Sequence, residues 1–87
     1  MQREVFHMVN RAGMHARPAA LVVKTAAQFQ ARVTLSLGEK KADARSLLML
    51  MGLGAKQGMD LAVEADGPDE TAALAAIRQL FAENFGE

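Results

Sequence analysis

Hydrophobic residues in this chain change their spacing several times, and this change restricts the fold more than any other feature of the sequence. Apolar and polar residues alternate over residues 4–9, Arg32–Leu37 and Asp60–Asp66, and such alternation predicts strands with one buried face. The charged segment Lys40–Asp43 follows a turn at Gly38 and predicts an edge strand that its lysines protect from pairing. Four strands that each bury one face require a second layer to cover them.

Three segments with helical spacing can supply that second layer. Residues 16–29 form the first, and its buried stripe consists of Ala19, Val22, Val23 and Ala26. Ser46 opens a short helix through Met51, and Asp69 can cap a final helix that runs to about residue 84. The apolar stripe of this last helix consists of Leu74, Ile77, Phe81 and Phe85.

The elements follow one another in the order β-α-β-β-α-β-α, without a linker, a repeat or a low-complexity segment. A chain of 87 residues has room for one hydrophobic core. We therefore expect a single domain over residues 1–87 with the fold of an open-faced α+β sandwich, in which three helices cover one face of four strands.

The composition excludes several classes of function. The chain has no cysteine for disulfide or thiolate chemistry, and two histidines are too few for a metal site, so we expect no metal and no other cofactor. Ten basic and ten acidic side chains leave no basic footprint for nucleic acid. We find neither a signal peptide nor an apolar run of the ~18 residues that span a membrane. We therefore expect a cytoplasmic protein that does not insert into membranes.

The segment from Asn10 to Ala20 reads N-R-A-G-M-H-A-R-P-A-A and places His15 immediately before a helix. A helix start presents unpaired N–H groups and a positive dipole end, so the amides of Ala16 and Arg17 can cradle a phosphate. The Arg17 guanidinium can bind phosphate oxygens in pairs, and the His15 imidazole can attack a phosphoryl donor. These residues alone leave a second interpretation open, in which His15 merely caps the helix.

This segment and three others resemble HPr, the histidine-containing phosphocarrier family of the bacterial phosphoenolpyruvate-dependent sugar phosphotransferase system. The matching motifs are G-M-H-A-R-P-A-A at 13–20, A-R-S-L-L-M-L-M at 44–51, L-G-A-K-Q-G at 53–58 and G-P-D-E at 67–70. Met14 stands where leucine is commoner in the family, a swap of similar volume. The resemblance covers the whole chain and implies an antiparallel four-stranded sheet with three helices on one side.

The resemblance also implies roles for the matching residues. His15 would accept a phosphoryl group at Nδ1 from enzyme I and pass it to the IIA domains of sugar permeases, while Arg17 would stabilise that group. We expect the protein to act as a monomer. It would be consumed and regenerated stoichiometrically, which makes it a borderline case as an enzyme.

Ser46 has a structural and a regulatory interpretation. Its hydroxyl can cap the second helix and contribute about 1 kcal/mol to stability. A phosphate there would lie at a helix N-terminus and place negative charge at the partner surface. In HPr proteins of many bacteria the matching serine is phosphorylated by HPr kinase/phosphorylase, and in other lineages that kinase is absent. The resemblance therefore leaves regulation at Ser46 open.

The run from Leu47 to Met51 is apolar on all sides, although a short surface helix can bury only one face. We expect Leu50 and Leu53 to face the core. The exposed residues of the run would form a docking patch beside His15 together with two residues of the first helix. We define this docking patch as Leu21, Lys24, Leu47, Leu48 and Met51. The alternative is that all five residues of the run are buried.

The neutral average charge hides two halves of opposite sign. Residues 1–45 hold eight basic and three acidic side chains, whereas residues 46–87 hold two basic and seven acidic ones. We expect a basic rim around His15 and the docking patch, consisting of Arg11, Arg17, Lys24 and Arg45. Such a rim favours fast association with acidic partners.

Two other functions compete with a phosphocarrier. A regulatory homologue of the same fold, nitrogen-branch or kinase-controlled, would act mainly by binding partner proteins. A nucleic-acid-binding module would need aromatic side chains on the open sheet face, whereas the chain has no Trp or Tyr and its four Phe take core positions. His7 lies mid-strand on the side away from the core, and we expect it to be exposed with no carboxylate beside it.

Overall fold

The computed structural model describes residues 1–87 and contains four strands, three α-helices and a short 3₁₀ turn over Asn84–Gly86. The main elements are β1 (Gln2–His7), α1 (Ala16–Ala26), β2 (Arg32–Leu37), β3 (Lys40–Asp43), α2 (Leu47–Gly52), β4 (Asp60–Asp66) and α3 (Glu70–Ala82). The helix α3 is the longest with 13 residues. None of the helices combines the length and the apolar character that crossing a membrane requires.

The four strands form one antiparallel sheet in the order β1-β4-β2-β3. Phe6 pairs with Leu61, and Val63 pairs with Leu35, so the alternating apolar residues of neighbouring strands meet on one face. The helices pack on that face and leave the other open. The predicted open-faced α+β sandwich is confirmed.

The bounds of β2, β3 and β4 agree with the ranges that the sequence predicts, whereas those of β1 do not. β1 begins at Gln2 and ends at His7 instead of covering residues 4–9. Beyond His7 the chain still pairs, because the Met8 N–H donates to the Met59 carbonyl and the Met8 carbonyl accepts from the Gly58 N–H, both at 2.8 Å. Met8 therefore stays in the core although it lies outside the regular ladder.

The helix α1 is shorter than its predicted range and is rotated slightly from its predicted stripe. It ends at Ala26 because the N–H groups of Gln28 and Phe29 donate to carbonyls only three residues back, at 3.1 and 3.2 Å. The buried residues of α1 are Pro18, Ala19, Val22 and Ala26. Val23 is only partly buried, because it lies at the edge of the buried stripe that contains Pro18 and Val22.

The core lies between the sheet and the helices. Its largest fully buried side chains include Met8, Leu35, Leu61 and Val63 on the sheet side and Val22, Leu50 and Ile77 on the helix side. Leu50 and Leu53 are 0% and 3% exposed, which confirms the prediction that these two residues of the apolar run face the core.

Asp69 precedes α3 as predicted, but its carboxylate does not cap that helix. It accepts hydrogen bonds from the N–H groups of Gln30 at 2.9 Å and Ala31 at 2.8 Å. The bond from Gln30, followed by that from Ala31, holds the pKa of Asp69 below its ordinary value. Asp69 thus ties the start of α3 to the loop before β2, a long-range contact that the local capping pattern does not reveal.

The chain leaves helical geometry after Ala82, earlier than the predicted end of the last helix. Asn84 and Phe85 both have positive φ angles, 52° and 54°, so the backbone reverses in a left-handed turn. Phe85 is nevertheless buried, and its ring meets Phe81 edge-on with centroids 4.9 Å apart. This turn directs Glu87 back toward the start of α1.

Candidate functional site

Gly13 brings the loop before α1 into direct backbone contact with the segment after α2. It has a φ of +68°, and a Cβ there would lie 2.2 Å from the Ala55 carbonyl oxygen and 2.9 Å from the Lys56 Cα. The Met14 N–H donates to that same carbonyl at 3.0 Å. Only glycine combines this backbone conformation with such a close approach.

The buried side chain of Asn10 holds the same loop from within. Its Nδ2 donates to the Gly13 carbonyl at 2.7 Å, and the Gly13 N–H donates to the Asn10 carbonyl at 3.1 Å. The His15 N–H also donates to the Gly13 carbonyl, at 2.9 Å. These bonds fix the backbone of His15 before the helix begins.

His15 is the last residue before α1, with an extended backbone at φ −85° and ψ −171°. Its carbonyl accepts from the Ala19 N–H at 3.1 Å, but its imidazole makes no capping hydrogen bond. His15 therefore occupies the N-cap position, but its side chain does not cap the helix. Pro18 lacks an N–H, so the amides of Ala16 and Arg17 are the two first-turn donors that no protein group accepts.

The imidazole of His15 is held by a carboxylate from the far end of the chain. Its Nε2 lies 3.1 Å from Glu87 Oε2, with the two side chains 38% and 24% exposed. Because a carboxylate only accepts hydrogen bonds, Nε2 is the donor in this pair, and in the neutral form of the ring the lone pair then lies on Nδ1. The sequence pattern missed Glu87, because 72 positions separate it from His15 and no local motif links them.

Three cations of the predicted rim belong to the loop and the helix that carry His15. Arg11, Arg17 and Lys24 are exposed, and none forms an ion pair. Lys56, which the sequence analysis did not include, adds a fourth exposed cation beside Gly13. Arg11, Arg17 and Lys56 make the His15 end of the molecule attractive to anionic groups, whereas Lys24 lies in the last turn of α1, about 14 Å along the helix from His15.

Arg45 does not lie beside His15. Its guanidinium donates to the Phe29 carbonyl, which follows the last turn of α1, whereas His15 precedes the first. An 11-residue helix is about 16 Å long, so the two residues mark opposite ends of α1. Arg45 therefore borders the docking patch at its Ser46 end and does not lie beside His15.

The helix α2 therefore runs antiparallel to α1. It begins after Arg45, near the end of α1, and its last turn leads to Ala55, which binds the loop before His15. Met51 is four residues before Ala55, so it lies at the end of α2 that is nearer to His15. The two helices are in contact with each other.

The docking patch is exposed on these two neighbouring helices. Leu47, Leu48 and Met51 are 42%, 84% and 43% exposed, so the alternative that the whole apolar run is buried is wrong. Leu21 is partly buried and packs against the core, while Lys24 is exposed on the adjacent helix. Exposed leucines in one turn of a helix are typical of a protein-binding surface.

Ser46 caps α2 as predicted. Its Oγ accepts a hydrogen bond from the Met49 N–H at 3.2 Å, and its backbone is extended. The side chain is only partly buried, so the hydroxyl is within reach of solvent. The same hydroxyl therefore caps the helix and is partly accessible, which is compatible with both the structural and the regulatory interpretation of Ser46.

The open face of the sheet carries His7, which is exposed as predicted but does have a carboxylate beside it. Its Nδ1 lies 2.7 Å from Asp60 Oδ1, because the two residues are paired across β1 and β4. No group of three or more metal-ligating side chains is present. Phe6 and Phe85 are buried, and Phe29 and Phe81 pack against the core, so no phenylalanine ring is left for base stacking on this face.

Three comparisons place these features among known proteins. Residues 2–83 match the family model for the PTS HPr component phosphorylation site. The chain is 42% identical over 80 residues to the phosphocarrier protein HPr of Treponema pallidum, covering 92% of this chain and 91% of the relative. The corresponding protein of Xylella fastidiosa is 39% identical over 80 residues, with 92% and 90% coverage. The crystal structure of HPr-C-His from Thermoanaerobacter tengcongensis has a TM-score of 0.95 at 38% identity, covering 100% of this chain and 98% of that chain.

Replacing Gly13 by alanine should destabilise the protein more than replacing Gly38 by alanine. Both glycines have positive φ angles, +68° and +61°, but only a Cβ at Gly13 meets the backbone of Ala55. The left-handed conformation costs about 1–2 kcal/mol at either position, and the clash adds to that cost at Gly13 alone. Urea unfolding of Gly13→Ala and Gly38→Ala measures the difference. Equal losses of unfolding free energy would contradict the close approach.

Proposed function

The chain belongs to the HPr family of phosphocarrier proteins of the phosphotransferase system, and from this premise we propose that His15 is its phosphoryl-carrying residue. The observation that carries the proposal is the pairing of His15 Nε2 with Glu87 at the start of α1. This arrangement supports Nδ1 as the nucleophilic atom, with two free amides of the same helix turn available to a phosphoryl group.

The transfer step needs no cofactor in this mechanism. The Nδ1 lone pair attacks the phosphorus atom of a phosphohistidine on enzyme I, and the new N–P bond forms as the donor's N–P bond breaks. The bonding electron pair returns to the donor imidazole. The same step in the opposite sense passes the phosphoryl group to a histidine of a IIA domain. Positioning and charge stabilisation supply most of the catalysis.

Four groups of this chain stabilise the charges of that step. The amides of Ala16 and Arg17 and the Arg17 guanidinium donate to the phosphoryl oxygens. The proton on Nε2 stays between the ring and Glu87, so the positive charge that develops on the phosphorylated ring lies next to a carboxylate. Glu87 is thus a positioning residue that fixes the tautomer of His15 and offsets the charge of the product.

Enzyme I and the IIA domains bind to the docking patch in this proposal. The exposed leucines of α2 and the free cations Arg11, Arg17 and Lys24 support an apolar centre with a basic rim. Such a surface favours acidic partners, rapid association and brief complexes, which suits a carrier that must leave each partner after transfer.

Incubation with phosphoenolpyruvate and purified sugar-branch enzyme I should add one acid-labile phosphate to the chain, detected as intact mass. His15→Ala should abolish this gain because it removes the nucleophile. His7→Ala is the matched control and should be labelled like the wild type, since His7 lies on the open face of the sheet. An unlabelled wild type would exclude the transport role and favour a regulatory homologue that acts by binding.

Replacing Glu87 by glutamine should slow phosphorylation of His15 by enzyme I about threefold to tenfold, because a neutral amide stabilises the charged ring less. Nitrogen NMR of the imidazole should show a smaller fraction of the Nε2–H tautomer. Glu83→Gln is the control, since Glu83 contacts Gln79 and not His15. An unchanged rate and tautomer in Glu87→Gln would refute the positioning role.

We also propose that phosphorylation of Ser46 by a kinase lowers the rate of transfer to His15. The new charge would lie at the Arg45 end of the docking patch and repel acidic partners. The partial exposure of the Ser46 hydroxyl and its place at the start of α2 support this regulation.

Ser46→Asp and Ser46→Asn separate the charge of Ser46 from its cap. Both residues cap helices well, so both variants should keep the stability that Ser46→Ala loses, about 1 kcal/mol. Only Ser46→Asp adds negative charge, and it alone should raise the KM for phosphorylation by enzyme I. Equal KM values for the aspartate and asparagine variants would argue against regulation by charge at this position.

A further inference from the structure

The methionines of this chain divide sharply into buried and exposed ones. Met8 and Met14 are 0% and 4% exposed, whereas the other four are exposed: Met1 (68%) and Met59 (39%) outside the helices, and Met49 (48%) and Met51 (43%) on α2. We propose that Met51 is an oxidation site, and that conversion of its thioether to the sulfoxide blocks partner docking. This inference rests on the proposed phosphocarrier function, since it concerns the surface through which that function operates.

Met51 lies in the apolar part of the docking patch. It is exposed with Leu47 and Leu48, which are one helical turn back on the same side of α2. Its end of the helix leads to Ala55, whose carbonyl binds the loop that holds His15. A partner that reaches His15 through this patch therefore covers the Met51 side chain.

Met49 offers a contrast on the same helix. It lines an open groove of about 320 Å³ against β3, together with Lys40, Lys41, Gly52 and Leu53. The groove is on the side of α2 that faces the edge strand, away from Leu47 and Leu48. Met49 is thus as exposed as Met51 but lies outside the docking patch, which makes it an internal control.

The modification requires a peroxide as oxidant. A thioether lone pair attacks one peroxide oxygen, an S–O bond forms as the O–O bond breaks, and the second oxygen leaves as water after taking a proton. Sulfur loses two electrons and the peroxide gains them, and methionine sulfoxide reductases reverse the change with thiols. The product is a polar side chain in the middle of an apolar patch.

Oxidation at this site should affect binding without disrupting the fold. A sulfoxide oxygen loses its water when a partner covers the patch, and an apolar partner surface offers it no hydrogen bond. Met8 and Met14, whose oxidation would disrupt the core, are shielded from solvent. The expected effect is a higher KM for phosphorylation by enzyme I, with kcat nearly unchanged.

The test treats wild type, Met51→Leu and Met49→Leu with dilute hydrogen peroxide and maps the sulfoxides by peptide mass. Oxidised wild type and oxidised Met49→Leu should show a KM about tenfold above their untreated forms, a change of about 1.4 kcal/mol in apparent affinity. Oxidised Met51→Leu should keep its untreated KM, because leucine preserves the apolar surface and resists peroxide. Sulfoxide reductase should restore the wild type.

Three results would overturn the inference. They are an unchanged KM in wild type with the Met51 sulfoxide confirmed, an equal rise of KM in Met51→Leu, and oxidation of Met14 before Met51. The untreated proteins test the proposed function separately. If untreated wild type accepts no phosphate from enzyme I, the phosphocarrier function fails and this inference fails with it.

Discussion

The backbone contact between Gly13 and Ala55 sets the geometry on which the candidate site depends. It joins the loop that ends at His15 to the segment that follows α2, and the hydrogen bond from Met14 to the Ala55 carbonyl closes it at 3.0 Å. His15, the proposed phosphoryl-carrying residue, and α2, which carries the proposed docking patch, are therefore fixed to each other through main chain. A partner that binds α2 therefore meets the backbone of His15 in a defined position.

A second constraint acts from the other end of the chain. The left-handed residues Asn84 and Phe85 each cost about 1–2 kcal/mol of backbone energy. Burial of the Phe85 ring contributes about 1.5–3 kcal/mol and offsets much of that cost. The turn is thus held by core packing, and the core in turn holds Glu87 against His15. The contact between Glu87 and the imidazole therefore depends on the burial of Phe85, two residues before Glu87.

The sequence predicted the parts of this molecule that local rules determine. The bounds of β2, β3 and β4 follow from two-residue alternation and from glycine turns, and the Ser46 cap follows from its place before an apolar run. The exposed leucines of α2 could be predicted because a six-residue helix cannot bury every side. Local patterns also indicated His15 and Arg17, and the family resemblance assigned them their chemistry.

Long-range contacts account for what the sequence did not predict. Glu87 reaches His15 and Asp60 reaches His7 only after the sheet and the last turn have formed. Asp69 satisfies every local rule for a helix cap, yet its carboxylate binds the amides of Gln30 and Ala31 from another loop. The contacts of polar side chains that orient a site are thus the hardest to predict, because the residues that meet are far apart in the sequence and follow no regular spacing.

The loop that carries His15 is fixed in position, whereas the side chains of the docking patch can change conformation. Main-chain bonds and the buried Asn10 side chain hold the backbone from Asn10 to His15, so the proposed nucleophile starts from one fixed backbone position. The docking patch instead consists of leucine, methionine and lysine side chains, which change rotamers at little cost. One reaction geometry must serve a donor and several acceptors of different shape. A fixed imidazole beside a deformable apolar surface meets both demands, since precision is needed only at the phosphorus atom.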